Sequence, residues 1–291
     1  MTSRLALVTT GSEREWKVCE RSSSSLTMAT TATRRTAMPE SQWGEGRVAL
    51  VTGGARRVGR ATVFALHRRG FNVVVHCNNS RTEAQAVADE LNSIRPKSAH
   101  VISGDLSVAV AATAQRLVAE AQAQWGRLDL LVNNASLFFP TPIAEASEDT
   151  WTRLMNTNAM SPFFLMKAAA PHVKEVGGSI INIGDIGGET PTPPYFTIYS
   201  MTKAALIMAT KQLAIELAPE IRVNYINPGA VIWPETDVGN TYQKEWLSRT
   251  PLGREGTGED VAEAAVFLAS PAAAYITGSS INVCGGRSVM T

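Results

Sequence analysis

The amino-acid sequence predicts an α/β fold, a single doubly wound parallel sheet with helices on both faces. From Arg47 onward, short apolar and β-branched runs alternate with segments of helical periodicity. Strands that read as continuous apolar runs are typical of parallel sheets buried between two helical layers. A glycine-rich turn also joins the first strand to the first helix, and ligands of such sheets bind at the carboxyl ends of the strands.

The elements follow in a regular order along the chain. Apolar runs predict strands at 48–52, 71–76, 100–103, 128–132, 179–183, 222–226 and 280–283. Helical periodicity predicts helices at 58–69, 83–94, 112–125, 148–173, 199–217 and 259–268. An irregular stretch from Ala230 to about residue 257 is expected to cover the site as a substrate lid, with Trp233 as a candidate pocket wall or a packing residue.

Composition excludes several classes of protein. A net charge of +1 over 291 residues gives no reason to expect nucleic acid or an anionic membrane surface as partner. No apolar run reaches the roughly 18 residues that span a bilayer. The three cysteines are scattered, so neither a disulfide framework nor a metal site is expected, and a reducing, cytoplasmic location fits.

The first 45 residues differ from the rest. They are rich in Ser, Thr and Arg and lack a sustained period, which predicts a disordered extension before a domain at 46–291. Several arginines favour organelle import, whereas Glu13, Glu15 and Glu20 argue against a transit peptide. A non-native or over-long start is a third alternative.

Tyr199 and Lys203 are the most informative pair in the chain. Residues four apart share a helix face, so an ammonium would lie beside a phenol. A nearby positive charge is expected to lower the pKa of the tyrosine and to suit it for proton transfer. The alternative is an ordinary pair on a solvated helix face.

A phosphate-binding turn is predicted between the first strand and first helix. Gly53 allows a tight turn, Gly59 lets the helix approach the sheet, and the helix N-terminus favours an anion. No acid follows strand two, where Asn78, Asn79 and Ser80 stand with Arg56 and Arg81 in reach. Because a ribose 2′-hydroxyl calls for a carboxylate and a 2′-phosphate does not, this predicts NADPH. Asp105 is expected to accept from the adenine amino group or to cap a helix.

Five motifs occur in order: Gly53-x5-Gly59, 133–135 (Asn-Asn-Ala), Asn158, Tyr199-x3-Lys203 and Pro228-Gly229. Together they resemble the short-chain dehydrogenase/reductase family, which implies a single Rossmann-type domain, usually tetrameric or dimeric, here expected to be a homotetramer. The resemblance implies that Tyr199 donates a proton, that Lys203 holds the nicotinamide ribose, and that Asn158 supports a water-linked proton path. It implies cofactor binding by Gly53, Arg57, Val58, Gly59, Asn78, Asn79, Ser80, Asp105, Leu106, Asn134, Ala135, Ser136, Tyr199, Lys203, Pro228 and Gly229.

One departure from that pattern points to the substrate. The family has a catalytic serine about 13 residues before the tyrosine, whereas this chain has Gly184-Asp185. That aspartate, the arginines of the first turn and the segment 134–142 resemble the pteridine reductases. The resemblance implies that Asp185 relays protons, that Arg57 and Ser136 contact substrate or phosphate, and that Phe138 stacks on a pterin or folate ring. The alternatives are a core role for Phe138 and a capping role for Asp185.

Two rival functions have sequence features that bear on them. An oxoacyl or sugar carbonyl reductase would normally carry the serine that Asp185 replaces. A non-catalytic NADP-binding protein should have lost Tyr199 or Lys203, and both are present. The substrate is therefore expected to be a small pterin or folate, with Trp233 among the contacts.

Overall fold

The computed structural model describes residues 43–191, 194–231 and 239–290, with the backbone alone for 239–242. Within them, seven parallel strands form one sheet in the order β3-β2-β1-β4-β5-β6-β7. The strands are β1 (Val48–Val51), β2 (Asn72–Cys77), β3 (Ala99–Ser103), β4 (Leu130–Asn133), β5 (Ser179–Ile183), β6 (Arg222–Pro228) and β7 (Ser280–Val283). This is the doubly wound Rossmann-type arrangement that the sequence predicts.

Helices follow the strands in the expected alternation. The α-helices are α1 (Arg57–Arg68), α2 (Arg81–Ile94), α3 (Val110–Trp125), α4 (Glu148–Met155), α5 (Ser161–Glu175), α6 (Thr197–Glu216), α7 (Gly239–Ser248) and α8 (Gly258–Ala269). Because the strands are parallel, the carboxyl ends of β1, β4 and β5 lie at the same edge of the sheet. The strand order reverses between β1 and β4, which is where ligands of such sheets bind.

Two apolar cores lie on opposite faces of the sheet. Ala49 and Val51 of β1 pack into one core with residues of α1, α2 and α8. Val48 and Leu50 pack into the other with residues of α3, α5 and α6. Successive side chains of a strand point to opposite faces, so the continuous apolar run of β1 feeds both layers.

The structure corrects two of the expected elements. The helix predicted over 148–173 contains a π-helical turn at Asn156–Met160, which separates α4 from α5. The stretch predicted to be irregular contains α7, whose Gln, Lys, Glu and Leu residues are good helix formers. Polar composition without an apolar period conceals such a helix from sequence analysis.

Some expectations fall outside the described part of the chain. These are the extension up to residue 42 and the wall residue Trp233. Trp43 packs edge-on against Phe71 with ring centroids 5.1 Å apart, so contacts of the domain include residues before 46. No helix among the described residues is long and apolar enough to cross a membrane.

Candidate active site

Tyr199 and Asp185 meet at the carboxyl edge of the sheet. Tyr199 lies in the first turn of α6, and Asp185 follows β5 by two residues. The Tyr199 hydroxyl donates to Oδ2 of Asp185 at 3.0 Å. The other carboxylate oxygen accepts from the backbone N–H of Gly187 at 2.6 Å, so Asp185 also caps the short 3₁₀ turn Ile186–Gly188. The capping alternative and the contact with the predicted proton donor therefore both hold for Asp185.

The electrostatics of this pair correct one expectation. Burial raises the pKa of Asp185, against the opposing effects of the Gly187 N–H and Lys203. Burial first, and then the Asp185 carboxylate, raise the pKa of Tyr199 well above its ordinary value. The expectation of a lowered tyrosine pKa is therefore wrong for this structure, because desolvation and the neighbouring carboxylate raise it.

Lys203 lies beneath the pair. Its side chain is buried, its Nζ donates to the carbonyl oxygen of Ile183 at 3.4 Å, and it stands 5.5 Å from the centroid of the Tyr199 ring. Burial lowers its pKa to about 8, while Asp185 acts in the opposite direction. Burial therefore makes Lys203 give up its proton more readily than a lysine on the surface.

Asn158 sits in the π-helical turn and is fully engaged. Its Oδ1 accepts from the Leu137 N–H at 2.8 Å and from the Ser136 hydroxyl at 3.2 Å. Its Nδ2 donates to the Leu137 carbonyl at 2.8 Å and to Thr202 Oγ1 at 3.3 Å. The side chain therefore fastens the segment after β4 to α6, and the water-linked proton path predicted for it remains a prediction.

Phe138 forms an aromatic wall beside Tyr199. The residue is 52% exposed, so the core alternative is wrong. It stacks in parallel on Phe196 at 4.5 Å between centroids and meets Tyr199 edge-on at 4.8 Å. Sequence analysis did not single out Phe196, which stands three residues before Tyr199. An exposed ring held this way offers a flat apolar surface next to a hydroxyl and a carboxylate.

The predicted phosphate turn has the geometry of an anion site. A Cβ on Gly59 would lie 2.1 Å from the Gly53 carbonyl oxygen, so only glycine allows this approach. The first turn of α1 contains no acid, and its N-cap residue Arg56 makes no side-chain cap bond, which suits a helix N-terminus that binds an anion. Val58 lies in the same turn. Arg57 adopts φ +51°, a left-handed conformation that costs energy in a non-glycine residue.

Two residues that the sequence did not reveal fasten this turn. Thr52 Oγ1 accepts from the backbone N–H groups of Asn134 and Ala135, at 2.9 and 3.0 Å. His76 accepts at Nδ1 from the Gly53 N–H at 3.2 Å, and its Nε2 donates to the Gly104 carbonyl at 3.0 Å. Threonine and histidine are common at strand ends, so the sequence alone does not indicate a role for either residue. Their partners become visible only once the strands are arranged in the sheet.

The segment after β2, which is expected to bind the adenosine part of the cofactor, carries polar side chains, and one of the two nearby arginines is ion-paired. Asn78 and Asn79 are exposed and Ser80 is half-buried, while Arg81 donates to Ser103 Oγ at 3.1 Å. Arg56 is ion-paired with Glu83. The exposed Asp105 accepts from the N–H and hydroxyl of Ser107 at 2.8 and 2.6 Å, which makes it a turn residue and not the cap of α3.

The remaining residues predicted to bind the cofactor are Leu106, Pro228 and Gly229. Leu106 is buried in the core, so any contact with a cofactor would be through its backbone. Pro228 ends β6, and the Gly229 N–H donates to the Val283 carbonyl at 3.0 Å. Among the described residues, no group of three or more His, Cys, Asp or Glu could hold a metal ion.

The chain matches one family model and resembles several known proteins. The family model described as Enoyl-(Acyl carrier protein) reductase matches residues 53–288. The chain is 37% identical over 280 residues to pteridine reductase 1 of Leishmania tarentolae, covering 83% of this chain and 96% of that one. It is 38% identical to an uncharacterized oxidoreductase of Methylorubrum extorquens, over 83% and 98% of the two chains. It is 35% identical to a 3-oxoacyl-(acyl-carrier-protein) reductase of Staphylococcus aureus, over 82% and 96%.

Proposed function

This chain belongs to the short-chain dehydrogenase/reductase family, and we propose that within it the protein is an NADPH-dependent pteridine reductase. The observation that carries the proposal is the hydrogen bond between Tyr199 and Asp185, at the position where carbonyl reductases of the family carry a serine. The similarity to a pteridine reductase supports it. The similarity to oxoacyl reductases is nearly as strong, so residues of the site must distinguish the two functions.

The substrate class follows from the Phe138 ring and the carboxylate near it. A pterin or folate head is a flat heteroaromatic ring whose ring nitrogens and amino group need fixed polar partners. Phe138 is half exposed and meets Tyr199 edge-on, and the Tyr199 hydroxyl is bonded to Asp185. An oxoacyl thioester has no ring to stack and needs only a donor for one carbonyl oxygen.

Proton delivery is assigned to Tyr199 and Asp185 acting together. When bound, NADPH supplies the hydride that reduces a ring C=N bond. Tyr199 keeps its proton across the neutral range because burial and Asp185 raise its pKa. Asp185, whose pKa is also raised, can take up a proton from solvent and pass it on, directly or through water. Lys203 contributes a positive charge below the phenol that stabilises negative charge developing there.

The cofactor preference is proposed from the adenosine end. The turn at Gly53–Gly59 fits a pyrophosphate, and the exposed Asn78 and Asn79 offer donors without a carboxylate. Arg81 stands at the start of α2, within the same strand-to-helix connection. These amide and guanidinium donors favour a 2′-phosphate, while a free 2′-hydroxyl lacks its usual acidic partner.

A homotetramer is proposed from the family resemblance, and sedimentation velocity would test it.

The test is a panel of substrates and cofactors with the wild-type protein. Dihydrobiopterin, dihydrofolate and an acetoacetyl thioester are offered in turn, with NADPH or NADH, and the loss of reduced cofactor is followed by absorbance. The proposal predicts turnover of the pterin or folate with NADPH and little with the thioester. Efficient reduction of the thioester alone would replace the proposal with an oxoacyl reductase.

A further inference from the structure

We propose that Tyr225, in the middle of β6, is a positioning residue that sets the geometry of the Asp185–Tyr199 pair. The inference rests on the proposed function for its choice of substrate, but its structural basis is independent of it. Tyr225 is fully buried and lies in the strand next to the one that ends before Asp185. Its hydroxyl reaches the backbone on both sides of the candidate active site.

Two hydrogen bonds define its contact with the site. The Tyr225 hydroxyl accepts from the backbone N–H of Asp185 at 3.3 Å and donates to the backbone carbonyl of Lys203 at 3.4 Å. One phenol thus joins the segment after β5 to helix α6, which carries Tyr199 and Lys203. Because a single oxygen holds both, a shift of one segment against the other must break or bend one of these bonds.

Gly184 makes room for the Tyr225 ring. A Cβ at position 184 would lie 1.7 Å from Cζ and from the hydroxyl oxygen of Tyr225. The backbone N–H of Gly184 also donates to the Ile226 carbonyl at 2.8 Å, so the chain is held against β6 up to the residue before Asp185. The pair Gly184 and Tyr225 is therefore complementary in shape, and it places a hydroxyl directly under the Asp185 backbone.

This placement fixes where the Asp185 carboxylate points. The Asp185 N–H is held by Tyr225, one carboxylate oxygen by the Gly187 N–H, and the other by the Tyr199 hydroxyl. Removing the first bond frees the backbone from which the carboxylate extends. A misplacement well under 1 Å can lengthen the Tyr199 contact and lower the rate, because proton transfer depends steeply on geometry.

The experiment compares Tyr225→Phe with Tyr275→Phe as its matched control. Phenylalanine keeps the buried ring and removes only the hydroxyl, while Tyr275 is fully exposed. We expect Tyr225→Phe to bind NADPH within about twofold of wild type and to lose about tenfold in kcat with a smaller change in KM. The pH profile of kcat should also move, whereas Tyr275→Phe should match wild type throughout.

A double-mutant cycle tests whether Tyr225 acts through Asp185. In an Asp185→Asn background the further loss on adding Tyr225→Phe should shrink toward nothing, since groups that act as a unit are not additive. A purely structural role would instead lower the melting temperature and reduce kcat equally in both backgrounds. That result, or an unchanged kcat and pH profile in Tyr225→Phe, would overturn the inference.

A readout without substrate separates this inference from the proposed function. With ¹³C-labelled aspartate, the Asp185 carboxyl can be titrated by NMR and assigned by its absence in Asp185→Asn. The inference predicts a midpoint in Tyr225→Phe that differs from wild type by at least about half a pH unit. An unchanged midpoint would contradict it even if the wild type reduces pterins, and a changed one would support it even if the wild type does not.

Discussion

The hydroxyl of Tyr199 donates a hydrogen bond of 3.0 Å to Oδ2 of Asp185, which lies 14 positions earlier in the chain. Both groups are desolvated and both have raised pKa values, so the pair holds its protons more tightly than free side chains would. Two acids in contact titrate as a unit. A proton donor built this way suits a substrate nitrogen that must be protonated as its neighbouring carbon is reduced.

Replacing Tyr199 with Phe should abolish most of the activity without disturbing the fold. The substitution removes the hydroxyl and its bond to Asp185 but keeps the ring that meets Phe138. We expect kcat to fall by at least about 100-fold, the usual scale for losing a positioned acid. NADPH binding by fluorescence titration is the control, and retention of more than a tenth of wild-type kcat would exclude Tyr199 as the main donor.

Replacing Phe138 with Ala should weaken substrate binding more than stability. The residue is half exposed, so truncation costs little core packing, while a stacking ligand loses its partner. The expected result is a rise in KM for dihydrobiopterin of about tenfold, with a melting temperature close to wild type. Phe163→Ala on α5, at a residue that is 42% exposed, is the matched control and should leave KM unchanged. Equal effects of both variants would refute stacking on Phe138.

The sequence allowed the sheet, its flanking helices and the main site positions to be predicted. Apolar runs such as β1 and the spacing of Tyr199 and Lys203 depend on local periodicity, which can be read directly from the sequence. The contacts of Thr52, His76 and Tyr225 were not predictable, because each joins segments at least 20 residues apart through one polar atom. The raised pKa of Tyr199 was missed for a related reason: desolvation depends on the whole fold and not on the neighbouring lysine.

Gly184→Ala should destabilise the protein severely. The added Cβ would lie 1.7 Å from the Tyr225 ring, which is buried and cannot move aside. We expect a loss of more than about 3 kcal/mol in the free energy of unfolding, at the upper end for overpacking. Gly126→Ala is the control: its φ is +72° with nothing within 4 Å, so only about 1 kcal/mol of backbone strain is expected. Denaturant unfolding measures both, and similar losses would contradict the packing argument.

His76 should make the fold sensitive to acid. Burial lowers its pKa from the ordinary 6.5 to about 4; the Arg116 charge acts in the same direction, and the bond to the Gly104 carbonyl opposes them. Between these values the unfolded chain binds the proton and the folded one does not, so stability falls as pH decreases from about 6.5 to about 4. The contribution is on the order of 3 kcal/mol.

The variant His76→Asn tests this directly. Asn does not titrate, so the variant should be less stable near pH 7, where the two ring contacts are lost, but its stability should fall less steeply over the acid window. His67, whose pKa is likewise lowered to about 4, leaves a residual slope in both proteins. Equilibrium unfolding at a series of pH values gives the slope, and an equal slope in the variant would show that His76 is not the group responsible.

The most direct test of the central claim is the substrate preference of Asp185→Ser. The measurement is the ratio of kcat/KM for dihydrobiopterin to kcat/KM for an acetoacetyl thioester, in wild type and variant. If Asp185 with Tyr199 is what fits the site to a pterin, the wild-type ratio is large and the variant's falls by at least about 100-fold. A ratio that stays unchanged, with the variant still reducing dihydrobiopterin at the wild-type rate, would contradict the account.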